Sequence, residues 1–134
     1  MDRKPKVIIL DDNDLFAALM VAALEADCDI VVGKNGQDGI QLCRAGSPDL
    51  LVTDIGMPEL DGVQMLAEFQ KDQELSAIPV IVVTATHFTQ RNMSEVKRYP
   101  QVRSLLFKTV DMDIILREIR KILKESRDAE QGAP

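Results

Sequence analysis

Short apolar runs alternating with helix-period segments set the plan of this chain. Val7-Ile8-Ile9-Leu10, Leu50-Leu51-Val52-Thr53, Val80-Ile81-Val82-Val83 and Leu105-Leu106-Phe107 are short and partly β-branched, the pattern of strands buried on both faces. Ile30-Val31-Val32 adds another strand, followed by a turn bracketed by Gly33 and Gly36. Asp14 is placed to cap a helix in which Phe16, Leu19, Met20, Ala23 and Leu24 recur at helical spacing, ending near Asp27. A short helix with Ile40 and Cys43 stops at Ala45-Gly46-Ser47-Pro48. The stretch Gly56-Met57-Pro58-Glu59-Leu60-Asp61-Gly62 is too rich in Gly and Pro to be regular, and a helix with Val63, Leu66 and Phe69 on one side succeeds it. Pro79 opens the next strand, and the polar stretch from Thr86 to Pro100 holds one weak helix around Met93 and Val96. Asp111 caps the last helix, whose Met112, Ile115, Leu116, Ile119, Ile122 and Leu123 give the clearest helical period and predict an end near Lys124. Five strands alternating with five helices predict an α/β fold, a parallel sheet with right-handed crossovers and helices on both faces.

Composition narrows this to one compact domain. In 134 residues, 46% are hydrophobic, enough for a core, and 28% are charged, enough for a hydrated surface. Residues 1–124 are expected to form the domain, and the polar 125–134 a tail or the start of a linker. No window reaches the roughly 18 consecutive apolar residues of a membrane span, and Met1-Asp2-Arg3-Lys4-Pro5 lacks the apolar region of a signal peptide, so a cytoplasmic chain without membrane contact is expected. A net charge of −6 argues against direct nucleic-acid binding and favours protein partners. Cys28, in a strand-like run, and Cys43, on the apolar side of a helix, belong to no metal or redox motif and are expected as buried free thiols. His87, the only histidine, falls in a polar loop and is expected to be solvated.

Each long run ends at its C-terminal edge in a polar residue: Asp11 and Asp12, Asp54, Thr84 and Lys108. In open parallel sheets ligands bind beyond the carboxyl ends of the strands, so three carboxylates, a hydroxyl and an ammonium would share one crevice. Two like charges 4 Å apart at an effective dielectric near 20 cost roughly 4 kcal/mol. Such a cluster needs a cation, and a few hard oxygen donors suit Mg²⁺ or Mn²⁺ better than zinc. A metal-bound carboxylate can attack a phosphoryl group, and phosphoryl transfer depends mainly on positioning and charge neutralisation. Lys108 would supply a second cation, while Thr84 and the backbone N–H groups of the Ile55-Gly56 loop and Ala85 would donate to phosphoryl oxygens. Taken singly, each residue also has a plain reading: Asp11-Asp12 as a loop start and helix cap, Asp54 and Lys108 as strand-end residues, Thr84 as a β-branched residue finishing a strand.

The ordered set Asp11-Asp12, Asp54, Met57-Pro58, Asp61-Gly62, Thr84-Ala85 and Lys108 resembles the receiver domain of two-component response regulators, over roughly residues 5 to 124. The resemblance implies a CheY-like, flavodoxin-like (βα)5 fold with strand order 2-1-3-4-5. It also implies that Asp54 is the phosphoacceptor for a sensor histidine kinase or phosphotransfer protein. Asp12, Asp54 and the backbone carbonyl of Gly56 would ligate Mg²⁺, with Asp11 acting mainly through a water. Thr84 and Lys108 would contact the phosphoryl group, and movement of Thr84 would report its arrival. The output would be a downstream protein or a fused domain, with a second copy of the chain as a further candidate partner. Such a domain catalyses at most its own phosphorylation and dephosphorylation and is not a turnover enzyme.

Three features depart from the family pattern. Thr109 follows Lys108 where proline is usual, and a cis bond there would cost about 3 kcal/mol without it. Leu105 stands where an aromatic residue commonly swings inward with the threonine. Arg98-Tyr99-Pro100-Gln101-Val102 replaces a small Gly-Ala turn, which predicts irregularity between the fourth helix and the fifth strand. Gly56 and Thr86 occupy positions that tune acyl-phosphate lifetime in the family. Two other readings compete with a phosphorylation switch. One is a degenerate receiver that binds partners without phosphorylation. The other is a haloacid-dehalogenase-like phosphatase, which would want a second Asp where this chain has Gly56.

Overall fold

The structure, a computed structural model, describes residues 3–57, 61–85 and 90–132. Pro58, Thr86 and His87 lie outside the described residues, and so do the readings made on them. Five strands, β1 (Lys6–Leu10), β2 (Asp29–Gly33), β3 (Leu50–Thr53), β4 (Val80–Thr84) and β5 (Val102–Phe107), alternate with α1 (Asp14–Leu24), α2 (Gly36–Ala45), α3 (Gly62–Phe69), α4 (Gln90–Lys97) and α5 (Met112–Gly132). A single 3₁₀ turn, Leu75–Ala77, precedes β4. Every strand pair is parallel and the order is β2-β1-β3-β4-β5, as expected for a flavodoxin-like (βα)5 fold.

Strand alternation sends successive side chains to opposite faces, and two apolar clusters result. Ile8, Leu10, Leu51, Val80 and Val82 pack with Ile40, Met65, Leu66, Phe69 and Val96 of α2, α3 and α4. Val7, Ile9, Leu50, Val52, Ile81 and Val83 pack with Met20, Leu24, Ile115, Ile119 and Ile122 of α1 and α5. The central strands β1, β3 and β4 are buried almost throughout. The Leu105-Leu106-Phe107 run differs from its expectation: β5 is an edge strand and these residues are only partly buried. Cys28 and Cys43 are buried free thiols, although Cys28 precedes β2 instead of lying in it. Among the described residues, no helix is long and apolar enough to cross a membrane.

Local chemistry explains the boundaries. Asn13, not Asp14, caps α1, its side chain accepting the Phe16 N–H at 3.0 Å, and Asp14 opens the helix in an exposed ion pair with Lys34. The helix stops at Leu24 because the Asp27 N–H tightens onto the Leu24 carbonyl in a turn. Leu19, assigned by spacing to the core, is exposed. Asp61 and Gln64 form a reciprocal capping box at the start of α3. The last helix continues past Lys124 to Gly132, and its extension is tied at Glu125 to Arg103 of β5. The expected irregularity near β5 is a register shift: Val80 pairs with Val102 and Ile81 with Ser104, leaving Arg103 between them.

Candidate functional site

The C-terminal ends of β1, β3, β4 and β5 bring Asp11, Asp54, Thr84 and Lys108 into one crevice. Parallel pairing continues just past each strand. The Asp11 N–H donates to the Gly33 carbonyl at 3.1 Å, that of Asp54 to the Leu10 carbonyl at 3.0 Å, and that of Lys108 to the Thr84 carbonyl at 2.8 Å. These bonds hold the three residues in register although they lie beyond the strands proper. Asp54 is buried, and its Oδ1 accepts the N–H groups of Ile55 at 2.7 Å and Gly56 at 3.3 Å and the Thr84 hydroxyl at 3.0 Å. Its Oδ2 accepts Lys108 Nζ at 2.9 Å. The same ammonium reaches Asp11 Oδ2 at 2.9 Å, and 20% of the Lys108 side chain stays exposed to solvent. Thr84 therefore faces the Asp54 carboxylate from a fully buried position.

Asp11, Asp12 and Asp54 each offer a carboxylate oxygen within 4.8 Å of the others. Asp11 and Asp54 are buried and Asp12 is exposed, which gives the cluster one side open to water. Hard oxygen donors so arranged fit a small divalent cation that keeps several waters. Burial pushes the Asp11 carboxyl above the usual carboxylate value, and its hydrogen bonds to Lys108 and Asn13 only partly offset that. Burial also works against the Lys108 charge, but the hydrogen bonds it donates to Asp11 and Asp54 outweigh it and hold the ammonium above its usual pKa.

Gly62 explains the Asp61-Gly62 step in the sequence. Its N–H donates to the Ile55 carbonyl at 2.8 Å, and a Cβ there would lie 2.6 Å from the Asp54 carbonyl oxygen and 3.0 Å from Ile55 Cα. Only glycine lets α3 begin so close to the Asp54 backbone. For Gly56, the structure brings its N–H to Asp54 and leaves the residue exposed. Leu105 packs against the α2–α4 side of the core. Two residues of this region were not singled out in the sequence. Asn13 bonds through its N–H to Asp11 Oδ1 at 2.8 Å, and the Phe16 ring centroid lies 5.0 Å from Lys108 Nζ. Phe16 reads as an ordinary helix-core residue by spacing, and its position one turn beyond the acidic pair was the only signal.

The model of the response regulator receiver domain matches residues 7–120. The chain belongs to this family, the receivers of two-component response regulators. It is 34% identical over 119 residues to Protein PilH of Pseudomonas aeruginosa, covering 88% of this chain and 97% of PilH. It is 30% identical over 131 residues to the transcriptional regulatory protein GlrR of Escherichia coli K12, covering 96% of this chain but 29% of GlrR. A CheY-like receiver domain protein from Methanospirillum hungatei shares the fold with a TM-score of 0.84 at 18% identity, over 95% of this chain and 99% of that one.

Proposed function

We propose that the chain is a phosphorylation-dependent switch whose acceptor is Asp54. The observation that carries this reading is a charge imbalance at a buried site. Among the described residues, three carboxylates within 4.8 Å face one ammonium, a shortfall of two positive charges, the charge of one Mg²⁺ or Mn²⁺ ion. Asp11, Asp12, Asp54 and the Gly56 carbonyl would hold that ion, which when bound supplies charge neutralisation to the phosphoryl oxygens. An Asp54 carboxylate oxygen forms a bond to phosphorus as the N–P bond of a phosphohistidine breaks, and the imidazole leaves with its electron pair and takes up a proton. Lys108 neutralises the added charge from its present place at Oδ2. Thr84 exchanges its bond to Asp54 Oδ1 for one to a phosphoryl oxygen, and the N–H groups of Ile55 and Gly56 keep the carboxyl oriented. The shift in equilibrium that follows changes the surface offered to a partner.

The donor is a sensor histidine kinase or phosphotransfer protein. In support, Leu15 and Leu19 of α1 and Ile114 of α5 are 71%, 51% and 45% exposed, and α1 and α5 pack on one face of the sheet with their N-terminal turns at the crevice end. Exposed apolar side chains on these two helices suit a protein partner better than a small ester. The output, as a separate protein or a fused domain, follows from the same family reading.

Mg²⁺-dependent labelling of the protein by acetyl phosphate tests the proposal. Labelling should be lost completely in Asp54→Asn; undiminished labelling of that variant would overturn it. Leu105 in place of an aromatic residue favours one other reading, a receiver that binds without phosphorylation. In that case spectra recorded with and without beryllofluoride and Mg²⁺ should be identical.

A further inference from the structure

Four contacts beside Asp54 close on themselves. Asp11 Oδ1 accepts the Asn13 N–H at 2.8 Å, and Asn13 Oδ1 accepts the Phe16 N–H at 3.0 Å. The Phe16 ring lies 5.0 Å from Lys108 Nζ, and Nζ returns to Asp11 at 2.9 Å. The circuit joins the first turn of α1 to the end of β5 through the one cation of the site. A lysine ammonium is a point charge on a flexible stem with three donors. Asp11 and Asp54 engage it from one side, and the electron-rich face of a ring attracts it from another.

We propose that Phe16 is a positioning residue for Lys108. The contact matters most after transfer, a step that rests on the switch reading above. Once Asp54 is an acyl phosphate it no longer attracts Nζ as a free carboxylate, and the ammonium must stay within reach of the new phosphoryl oxygens. The Asp54 contact changes in that step, whereas the contacts to Asp11 and to the ring do not, so Phe16 helps to limit how far Lys108 can swing into solvent. Phe16 also packs against the α1–α5 core cluster. The two roles separate by substitution: Phe16→Leu keeps apolar packing and removes the π face, whereas Phe16→Tyr keeps both.

The test uses two readouts on the whole chain. In metal-free wild type, the Lys108 ε-CH₂ and ammonium resonances, assigned with Lys108→Arg, should be shifted upfield of the other lysines by the ring current. Phe16→Leu should abolish that shift and weaken beryllofluoride binding about threefold to tenfold, the scale of a partly desolvated cation–π contact. Phe16→Tyr should restore both, and urea unfolding of each variant reports whether it folds. Absence of the upfield shift in folded wild type would overturn the proposal without any variant, and so would a Phe16→Tyr affinity as low as that of Phe16→Leu. Loss of the Phe16 effect while wild type binds beryllofluoride would overturn the positioning role alone. Failure of wild type to bind beryllofluoride would overturn the switch reading and with it the role after transfer.

Discussion

Buried polar side chains gather at both ends of the β4–β5 strand pair, and the two gatherings behave differently. At the N-terminal end, Gln101 is buried and donates Nε2 to the carbonyls of Ile78 at 2.9 Å and Leu75 at 3.1 Å, while its Oε1 accepts Gln70 Nε2 at 2.6 Å. At the C-terminal end stand Asp11, Asp54, Thr84 and Lys108. Among the described residues, no buried side-chain nitrogen or oxygen at either end lacks a hydrogen-bond partner. The difference is charge. The glutamine cluster is neutral and complete, so it gains nothing from a ligand and serves to pin the 3₁₀ turn to the start of β5. The aspartate cluster satisfies its hydrogen bonds yet, among the described residues, has fewer positive than negative side chains, and the proposed function rests on that shortfall.

The contrast can be broken at either end. The largest effect on stability is expected from Gln101→Leu, which takes the side-chain donor from the Ile78 carbonyl and one of two donors from the Leu75 carbonyl and should cost roughly 3 kcal/mol in urea unfolding. Beryllofluoride affinity should be unchanged; a parallel fall would mean that the two ends are coupled. Next, Mg²⁺ at about a hundredfold its Kd should stabilise wild type by roughly 2.7 kcal/mol. Asp12→Ala should remove most of that gain, and equal stabilisation of the variant would place the ion elsewhere.

The smallest effect comes from a buried group whose charged form is opposed by burial and only partly favoured by Lys6. Burial pushes the Cys43 thiol from 9.0 up to about 12. The folded chain therefore keeps this proton through a pH range in which the unfolded chain releases it. The stabilising contribution is full below pH 9.0 and is lost as pH rises toward about 12. At pH 10 the loss should be about 1 kcal/mol. Comparing urea unfolding of wild type and Cys43→Ala from pH 7 to 10 isolates it; identical slopes would show that the thiolate is solvated.

Much of this was legible in the sequence, for physical reasons that differ by region. The central strands declared themselves because burial on both faces leaves continuous apolar runs, as in Ile8-Ile9-Leu10 and Val80-Ile81-Val82-Val83. The crevice residues were legible because a parallel sheet turns strand ends into neighbours, so Asp11, Asp54, Thr84 and Lys108 could be grouped without coordinates. β5 was read too short and too buried, since an edge strand mixes polar residues such as Arg103 and Ser104 into its pattern. Asp14 was read as the cap that Asn13 provides, because neighbouring Asn and Asp are equally good caps and only geometry separates them. Leu19 fits the helical period but faces solvent, because it lies at the margin of the apolar stripe. The Phe16–Lys108 contact joins residues distant in sequence, and no local pattern encodes it.

The break in register at Arg103 has a consequence for how copies of the chain meet. An edge strand exposes a row of unpaired N–H and C=O groups, a template for fibril-like growth. On β5 that row is kinked where Arg103 interrupts the ladder, and the guanidinium there is held by Glu125 of α5 at 2.8 Å. A second strand approaching this edge meets a change of direction and a fixed charge instead of a straight run of backbone. The kink and the fixed charge thus disfavour sheet-to-sheet joining along this edge.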